Sequence, residues 1–245
     1  MADFANLIDD LVDANRILYH HGVVDGYGHV SFRSPANPNT FFMAAAVSPG
    51  RVTAEDIIEL DLDGEQVAKG GRQSYSERFI HAEIYRVRAD VQSVVHSHSP
   101  AVIPFGVTDL PLRPIIHNAP FLHTGAPVFD THHIPEATGP LINSAPVGKA
   151  LATKLADNTV VLMRGHGDTV VGPTIRETVA RAIYTEVNAR LLLQTLALER
   201  PITYLASDEA LAMMRAMDVG PGHGTDRVWR MWVDEIRAHA DARTH

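Results

Sequence analysis

Apolar residues recur with a helical period at the start of the chain: Phe4, Leu7, Ile8, Leu11, Val12 and Leu18 predict an amphipathic helix over residues 3 to about 20, closed by His21-Gly22. After the glycine-rich turn Asp25-Gly26-Tyr27-Gly28 the pattern changes to alternation. His29, Ser31 and Arg33 then share one face of a strand, and Phe41 to Met43 and Glu59 to Leu62 read as further strands, with Asp63-Gly64 as a hairpin turn. Residues 64–73 are polar and predict a loop. Ser74 with Glu77 three residues on has the form of a capping box, followed by the apolar stripe Ile80, Ile84 and Val87 of a second helix.

Residues 91–98, Val-Gln-Ser-Val-Val-His-Ser-His, predict a strand that turns His96 and His98 to one side and Val91 and Val95 to the other. From 104 to 148 no period holds; eight prolines and His117, His123, His132 and His133 describe a long loop, with short strands expected at 112–116 and 126–129. Order returns as a helix over Val147 to Leu155 and a buried strand over Thr159 to Arg164, which ends in the tight turn Gly165-His166-Gly167. Thr174 and Glu177 cap a long helix that carries Ile175, Val179, Ile183, Val187 and Leu191 and is stopped by Pro201. A helical tail occupies about 203–245: one helix with Leu211 and Met214, a Gly-Pro-Gly-His-Gly break at 220–224, and a last helix with Trp229, Trp232, Val233 and Ile236. No repeat or composition shift marks a boundary, so residues 1–245 are expected to form a single α/β domain.

Composition narrows the chemistry. The chain is 45% hydrophobic and 20% charged, ordinary for a globular domain, and its net charge of −8 offers no basic face for a phosphate backbone, so no nucleic-acid partner is expected. There is no cysteine, hence no disulfide and no thiolate metal site; any metal ligands must come from His, Asp and Glu. Acidic residues near the N-terminus and the lack of a long apolar run predict a cytoplasmic protein with no membrane partner.

A catalytic zinc-like ion takes about three protein ligands and keeps one position open. His96 and His98 supply two, and His166, in a glycine-flanked turn after an apolar strand, is the best-placed third. Glu77 has two readings: the glutamate of the helix cap, or a fourth ligand or acid/base beside the ion. Ser31, Ser48, Gly50 and Ser76 are candidates for holding an anionic group.

Taken together, Gly28-His29-Val30-Ser31-Phe32-Arg33, Ser48-Pro49-Gly50, Ser76-Glu77 with His81 one turn later, His96-Ser97-His98 and Arg164-Gly165-His166-Gly167 resemble, in order and spacing over about residues 5–200, the class II aldolase/adducin family. The resemblance implies a three-layer α/β/α domain with a mixed, mainly antiparallel central sheet and a ring-like homotetramer. It also implies one divalent metal ion per subunit, Zn2+ or Mn2+, on His96, His98 and His166 near a subunit interface, with Glu77 as acid/base. Residues of the histidine-rich loop or of a neighbour's tail would complete each site.

Sugar-phosphate aldolases of the family usually carry Asn where this chain has His29, and a serine where it has Tyr75; the loop from Gly50 to Ile57 is also short. Replacing two phosphate donors by an imidazole and a phenol weakens a phosphate cradle. His29 and the run Tyr75-Ser76-Glu77-Arg78-Phe79-Ile80-His81 instead resemble the branch that decarboxylates hydroxypyridine dicarboxylates and dihydroxyphthalates. The expected activity is that of a metal-dependent carbon-carbon lyase decarboxylating an ortho-hydroxylated aromatic or heteroaromatic carboxylate. An aldolase for a hydroxy-oxo acid or sugar phosphate is the alternative, and a non-catalytic adducin-like module comes third. Glu77 or His29 would return the proton, Arg33, Arg78 or Arg113 would meet a second carboxylate, and Tyr75 and Phe121 would flank the ring.

Overall fold

The computed structural model describes residues 2–68, 70–217 and 224–242. The N-terminal helix α1 (Ala2–His20) is turned off by Gly22, whose φ of +69° lets the Val23 amide reach back to the Leu18 carbonyl at 3.0 Å. Three strands follow as antiparallel neighbours: β1 (His29–Arg33), β2 (Thr40–Ala44) and β3 (Ile57–Asp61). The turn at Asp63-Gly64 forms, with Gly64 at φ +80°, and the returning chain pairs through Gln66 with Leu60.

Next come α2 (Arg78–Val87), β4 (Ser93–Ser97), the short α3 (Ile103–Gly106), β5 (Val128–Phe129) and α4 (Ala145–Leu155). The hairpin β6 (Val160–Met163) and β7 (Gly167–Gly172) leads into α5 (Ile175–Leu196), then α6 (Ser207–Met217) and α7 (Thr225–Ala242). One seven-stranded sheet runs β3-β2-β1-β4-β7-β6-β5. Every pairing is antiparallel except β5 with β6, so the sheet is mixed and mainly antiparallel.

Alternation along the central strands divides the core into two layers. Val30, Phe32, Val95, Val160, Leu162 and Val170 face a layer built by α1, α5 and α7, while Val94, Val161, Met163 and Val171 face α2 and α4. The result is the three-layer α/β/α arrangement. Trp229 and Trp232, each 3% exposed, fix α7 in the first layer beside α1 and α5. Thr174 caps α5 by accepting from the Glu177 amide at 3.1 Å, whereas the Glu177 carboxylate turns outward to Arg181.

Several local expectations are corrected. α2 begins at Arg78 with no side-chain cap, because the Glu77 carboxylate is drawn inward to other partners, and Val87 at the end of the stripe is 56% exposed. Val91 precedes the regular strand and packs in the layer opposite Val95. Residues 112–116 form no strand; Asn188 of α5 holds them, donating to the Arg113 carbonyl and accepting from the Ile115 amide, both at 2.9 Å. β7 was not anticipated, since Gly167-Asp168 reads as a turn until the hairpin register is seen. The helix expected from Val147 starts at Ala145, and the break at 220–224 lies, apart from Gly224, outside the described residues.

Candidate metal centre

The starts of β1 and β7 and the ends of β4 and β6 meet at one end of the sheet, and the register sets His29 opposite His96 and Ser97 opposite Asp168. Gly165 at φ +64° makes the turn that carries His166 over this end, and a Cβ at Gly167 would run into the Ser97 carbonyl, so only glycine lets β7 lie this close to β4. Four ligand-type side chains converge there, Glu77, His96, His98 and His166, each with a donor atom within 4.8 Å of the others. The His98 and His166 Nε2 atoms are 3.1 Å apart, and Glu77 Oε2 lies 3.5 Å from His166 Nε2 and 3.7 Å from His96 Nε2.

The protein orients these imidazoles for a cation. His96 Nδ1 donates to the Asp168 carbonyl at 2.9 Å and His166 Nδ1 to the Pro140 carbonyl at 3.0 Å, which leaves the lone pair of each ring on the Nε2 that faces the cluster. His96 Nε2 is buried and has no hydrogen-bond partner among the described residues. An orphaned lone pair of this kind is costly unless an ion uses it. Bonds of about 2.0–2.1 Å to a tetrahedral ion put donor atoms about 3.3 Å apart, within the span of separations seen here. The residues present fit a divalent ion.

Electrostatics agree. Burial lowers the His96 pKa to about 3, with Glu77 opposing, so the ring is neutral and ligand-competent. Burial lowers His98 as well. Burial also pushes Glu77 upward, but the facing His166 and His96 rings and the Ile142 amide bring it down to about 2. The Ile142 amide donates to Glu77 Oε1 at 2.8 Å. Glu77 is therefore an ionised carboxylate aimed into the cluster, and the helix-cap reading of it is overturned.

Of the other residues singled out, His29 lies nearest: its ring centroid is 5.1 Å from that of His96 and 4.6 Å from that of Tyr75. The Tyr75 hydroxyl donates to the Val47 carbonyl, which fixes the ring as a wall beside His29. Ser76, next to Glu77, and Ser48 are exposed. The other residues expected to meet substrate pack as follows. Ser31 is fully buried with its hydroxyl engaged by His81 and Tyr85; Gly50 is small because the Tyr19 ring lies against it. Arg78 is turned to the carbonyls of Gly64 and Tyr75. Arg33 clamps the carbonyls of Pro38, Tyr85, Arg88 and Val91. Arg113 stacks on Tyr204, and Phe121 and His117 line a separate cavity against α5, α6 and α7.

Comparison with known proteins accords with this geometry. Residues 9–193 match the Class II Aldolase and Adducin N-terminal domain. The chain belongs to the class II aldolase and adducin family. Among its relatives, the decarboxylase tropJ of Talaromyces stipitatus is 36% identical over 241 residues, spanning 90% of each chain. The 3,4-dihydroxyphthalate decarboxylase of Arthrobacter keyseri is 30% identical over 237 residues, 92% of each. In fold, L-fuculose 1-phosphate aldolase from Glaciozyma antarctica PI12 superposes with a TM-score of 0.77 at 21% identity, covering 97% of this chain and 91% of its own. This member of the family is an enzyme, a lyase.

Sequence reasoning missed the groups that support the cluster of this family member. The long loop reaches it through backbone, the Pro140 carbonyl and the Ile142 amide, rather than through its histidines; His132 and His133 are exposed on a short turn beside Asp130. Two buried carboxylates bracket His98: Asp168 accepts from the Ser97 hydroxyl, and Glu186 accepts from the Ser99 hydroxyl and the Ala101 amide. An acid inside the apolar run Asp168-Thr-Val-Val was the one signal that could have drawn attention to the first.

Proposed function

We propose that the protein decarboxylates an ortho-hydroxylated aromatic or heteroaromatic carboxylate with the help of one divalent ion, Zn2+ or Mn2+, held by His96, His98 and His166. One observation carries the reading: imidazoles whose lone pairs converge, one of them orphaned, share their space with an ionised carboxylate. The substrate class comes from the relatives, both decarboxylases, and is supported by the His29 and Tyr75 rings that stand where a phosphate cradle would need small donors.

A bound ion would supply a Lewis acid for the ortho oxygen and carboxylate of the substrate, lowering the cost of the electrons left when carbon dioxide departs. The chain's own residues handle the proton. Glu77, ionised at rest, accepts the phenolic proton of the entering substrate. As the carbon-carbon bond breaks and carbon dioxide leaves, the Glu77 carboxyl delivers that proton to the ring carbon and returns to carboxylate; water reprotonates the product phenolate on release. Tyr75 and His29 wall the ring, and Ser48 and Ser76 face its polar substituents.

The finer reading is a single domain over 1–245, acting in the cytoplasm as a homotetramer with its sites near subunit interfaces. Exposed apolar groups at the mouth of the cluster support the assembly: Tyr27, 69% exposed with its ring 6.3 Å from that of His98, and Leu141 between the two supporting backbone groups. Among the described residues no helix is long and apolar enough to cross a membrane.

The deciding assay loads the protein with manganese or zinc and offers 3,4-dihydroxyphthalate, hydroxypyridine dicarboxylates and L-fuculose 1-phosphate in parallel, following carbon dioxide and aldehyde. Carbon dioxide from the aromatic acids is expected. Turnover of the sugar phosphate alone would overturn the reading in favour of an aldolase.

A further inference from the structure

Behind His29 a chain of buried hydrogen bonds runs away from the cluster. His29 Nδ1 meets His81 Nε2 at 2.6 Å, His81 Nδ1 meets the Ser31 hydroxyl at 2.6 Å, and Ser31 meets the Tyr85 hydroxyl at 2.7 Å. All four residues are 3% exposed or less, so water does not complete any of these bonds.

Counting hydrogens gives the chain one direction. The Tyr85 hydroxyl has a single hydrogen, and among the described residues its only side-chain partner is Ser31. Among the described residues no backbone carbonyl accepts from the Tyr85 hydroxyl. Tyr85 accordingly donates to Ser31, and the Ser31 hydrogen is left for His81 Nδ1. His81 Nδ1 is then an acceptor, which places the His81 hydrogen on Nε2, where it is donated to His29 Nδ1. Neutral His29 keeps its own hydrogen on Nε2, the nitrogen that bonds no protein atom among the described residues. The reverse direction would leave the Tyr85 hydrogen buried with no acceptor, its desolvation uncompensated. Burial independently holds His81 neutral, lowering its pKa to about 3.

We infer that Tyr85, Ser31 and His81 are positioning residues that lock His29 in its Nε2–H tautomer, making it a fixed hydrogen-bond donor to a substrate oxygen and neither the base nor the proton source. Were His29 to give up its Nε2 hydrogen, replacement along the chain would end in a Tyr85 phenolate inside the apolar core. The proton that reaches the ring carbon therefore comes through Glu77. What His29 faces rests on the decarboxylase reading; its tautomer does not.

The test is long-range 1H–15N correlation NMR on the full-length, metal-loaded protein, with His29→Gln to assign the signals. Wild type is expected to show His29 protonated at Nε2 alone. Ser31→Ala and Tyr85→Phe remove a link and should populate the Nδ1–H form as well, with a several-fold loss of kcat. Ser31→Thr should restore the single tautomer, and manganese affinity should stay within about twofold throughout. His29 protonated at Nδ1 in wild type, or an unchanged tautomer in both Ser31→Ala and Tyr85→Phe, overturns the inference. An Nε2–H His29 in a protein that releases no carbon dioxide from any aromatic acid would sustain the tautomer and refute only the decarboxylase reading.

Discussion

Acid should destabilise the metal-stripped protein through His81 by an amount that can be worked out in advance. His81 is 0% exposed, and burial lowers its pKa to about 3 from the ordinary 6.5. Between those values the unfolded chain binds a proton that the folded chain refuses. The stability contributed by neutral His81 is thus complete above pH 6.5 and is lost as pH falls toward 3. At about 1.4 kcal/mol per pH unit, the loss between pH 7 and pH 5 is about 2 kcal/mol for this one ring. For a domain of this size that corresponds to about 4–8 °C in Tm. His29 and His96, also lowered by burial, add in the same sense. His166 acts in the opposite one: burial lowers its pKa, but the Glu77 hydrogen bond and charge raise it overall. The measurement that isolates His81 is therefore a difference. Urea unfolding of wild type and His81→Gln, each at pH 7 and pH 5, should show wild type losing about 2 kcal/mol more than the variant. Equal losses, within the roughly 0.5 kcal/mol expected of such differences, would refute a buried neutral His81 and the hydrogen-bond chain built on it.

Removing a ligand should act on the metal before it acts on the fold: His96→Ala and His166→Ala are each expected to weaken manganese or zinc binding at least about 100-fold in calorimetric titration. Glu77→Gln should fold and bind metal yet lose about 100-fold or more in kcat, since a positioned acid/base contributes about 10²–10⁴-fold; near-normal turnover would return Glu77 to a structural role. Gly167→Ala pushes a Cβ into the Ser97 carbonyl and should cost about 1–3 kcal/mol by denaturant unfolding, together with weaker metal binding as β4 and β7 separate beside His98. A Gly167→Ala protein with wild-type stability would show that the close approach of the two strands is not needed.

What is periodic is readable along the chain because it depends on neighbours in sequence. α1 and its glycine stop, the capped α5, the apolar β6 and the His-x-His strand follow from side-chain spacing and local backbone preference. The metal candidates His96, His98 and His166 were legible for the same reason, since a strand period and a glycine turn each give a side chain a direction. Glu77 was singled out too, but the choice between its two readings was not legible, because a helix cap and a carboxylate turned inward satisfy the same local sequence; it lies with the Ile142 amide and His166, which stand 65 and 89 positions away.

By itself, then, the sequence determined the class of fold, the order of its elements, the absence of thiol chemistry and the imidazoles available to an ion. Only the tertiary structure decided which polar groups face one another. Register pairs His29 with His96, and the packing of α2 under β1 joins His29, His81, Ser31 and Tyr85 across about fifty positions. The same packing converts Arg33 and Ser31 from possible substrate contacts into internal structure. The reason is physical: hydrophobic pattern sets which face of an element is buried, but a buried polar group must be matched atom by atom, and its partner is set by topology rather than by proximity along the chain.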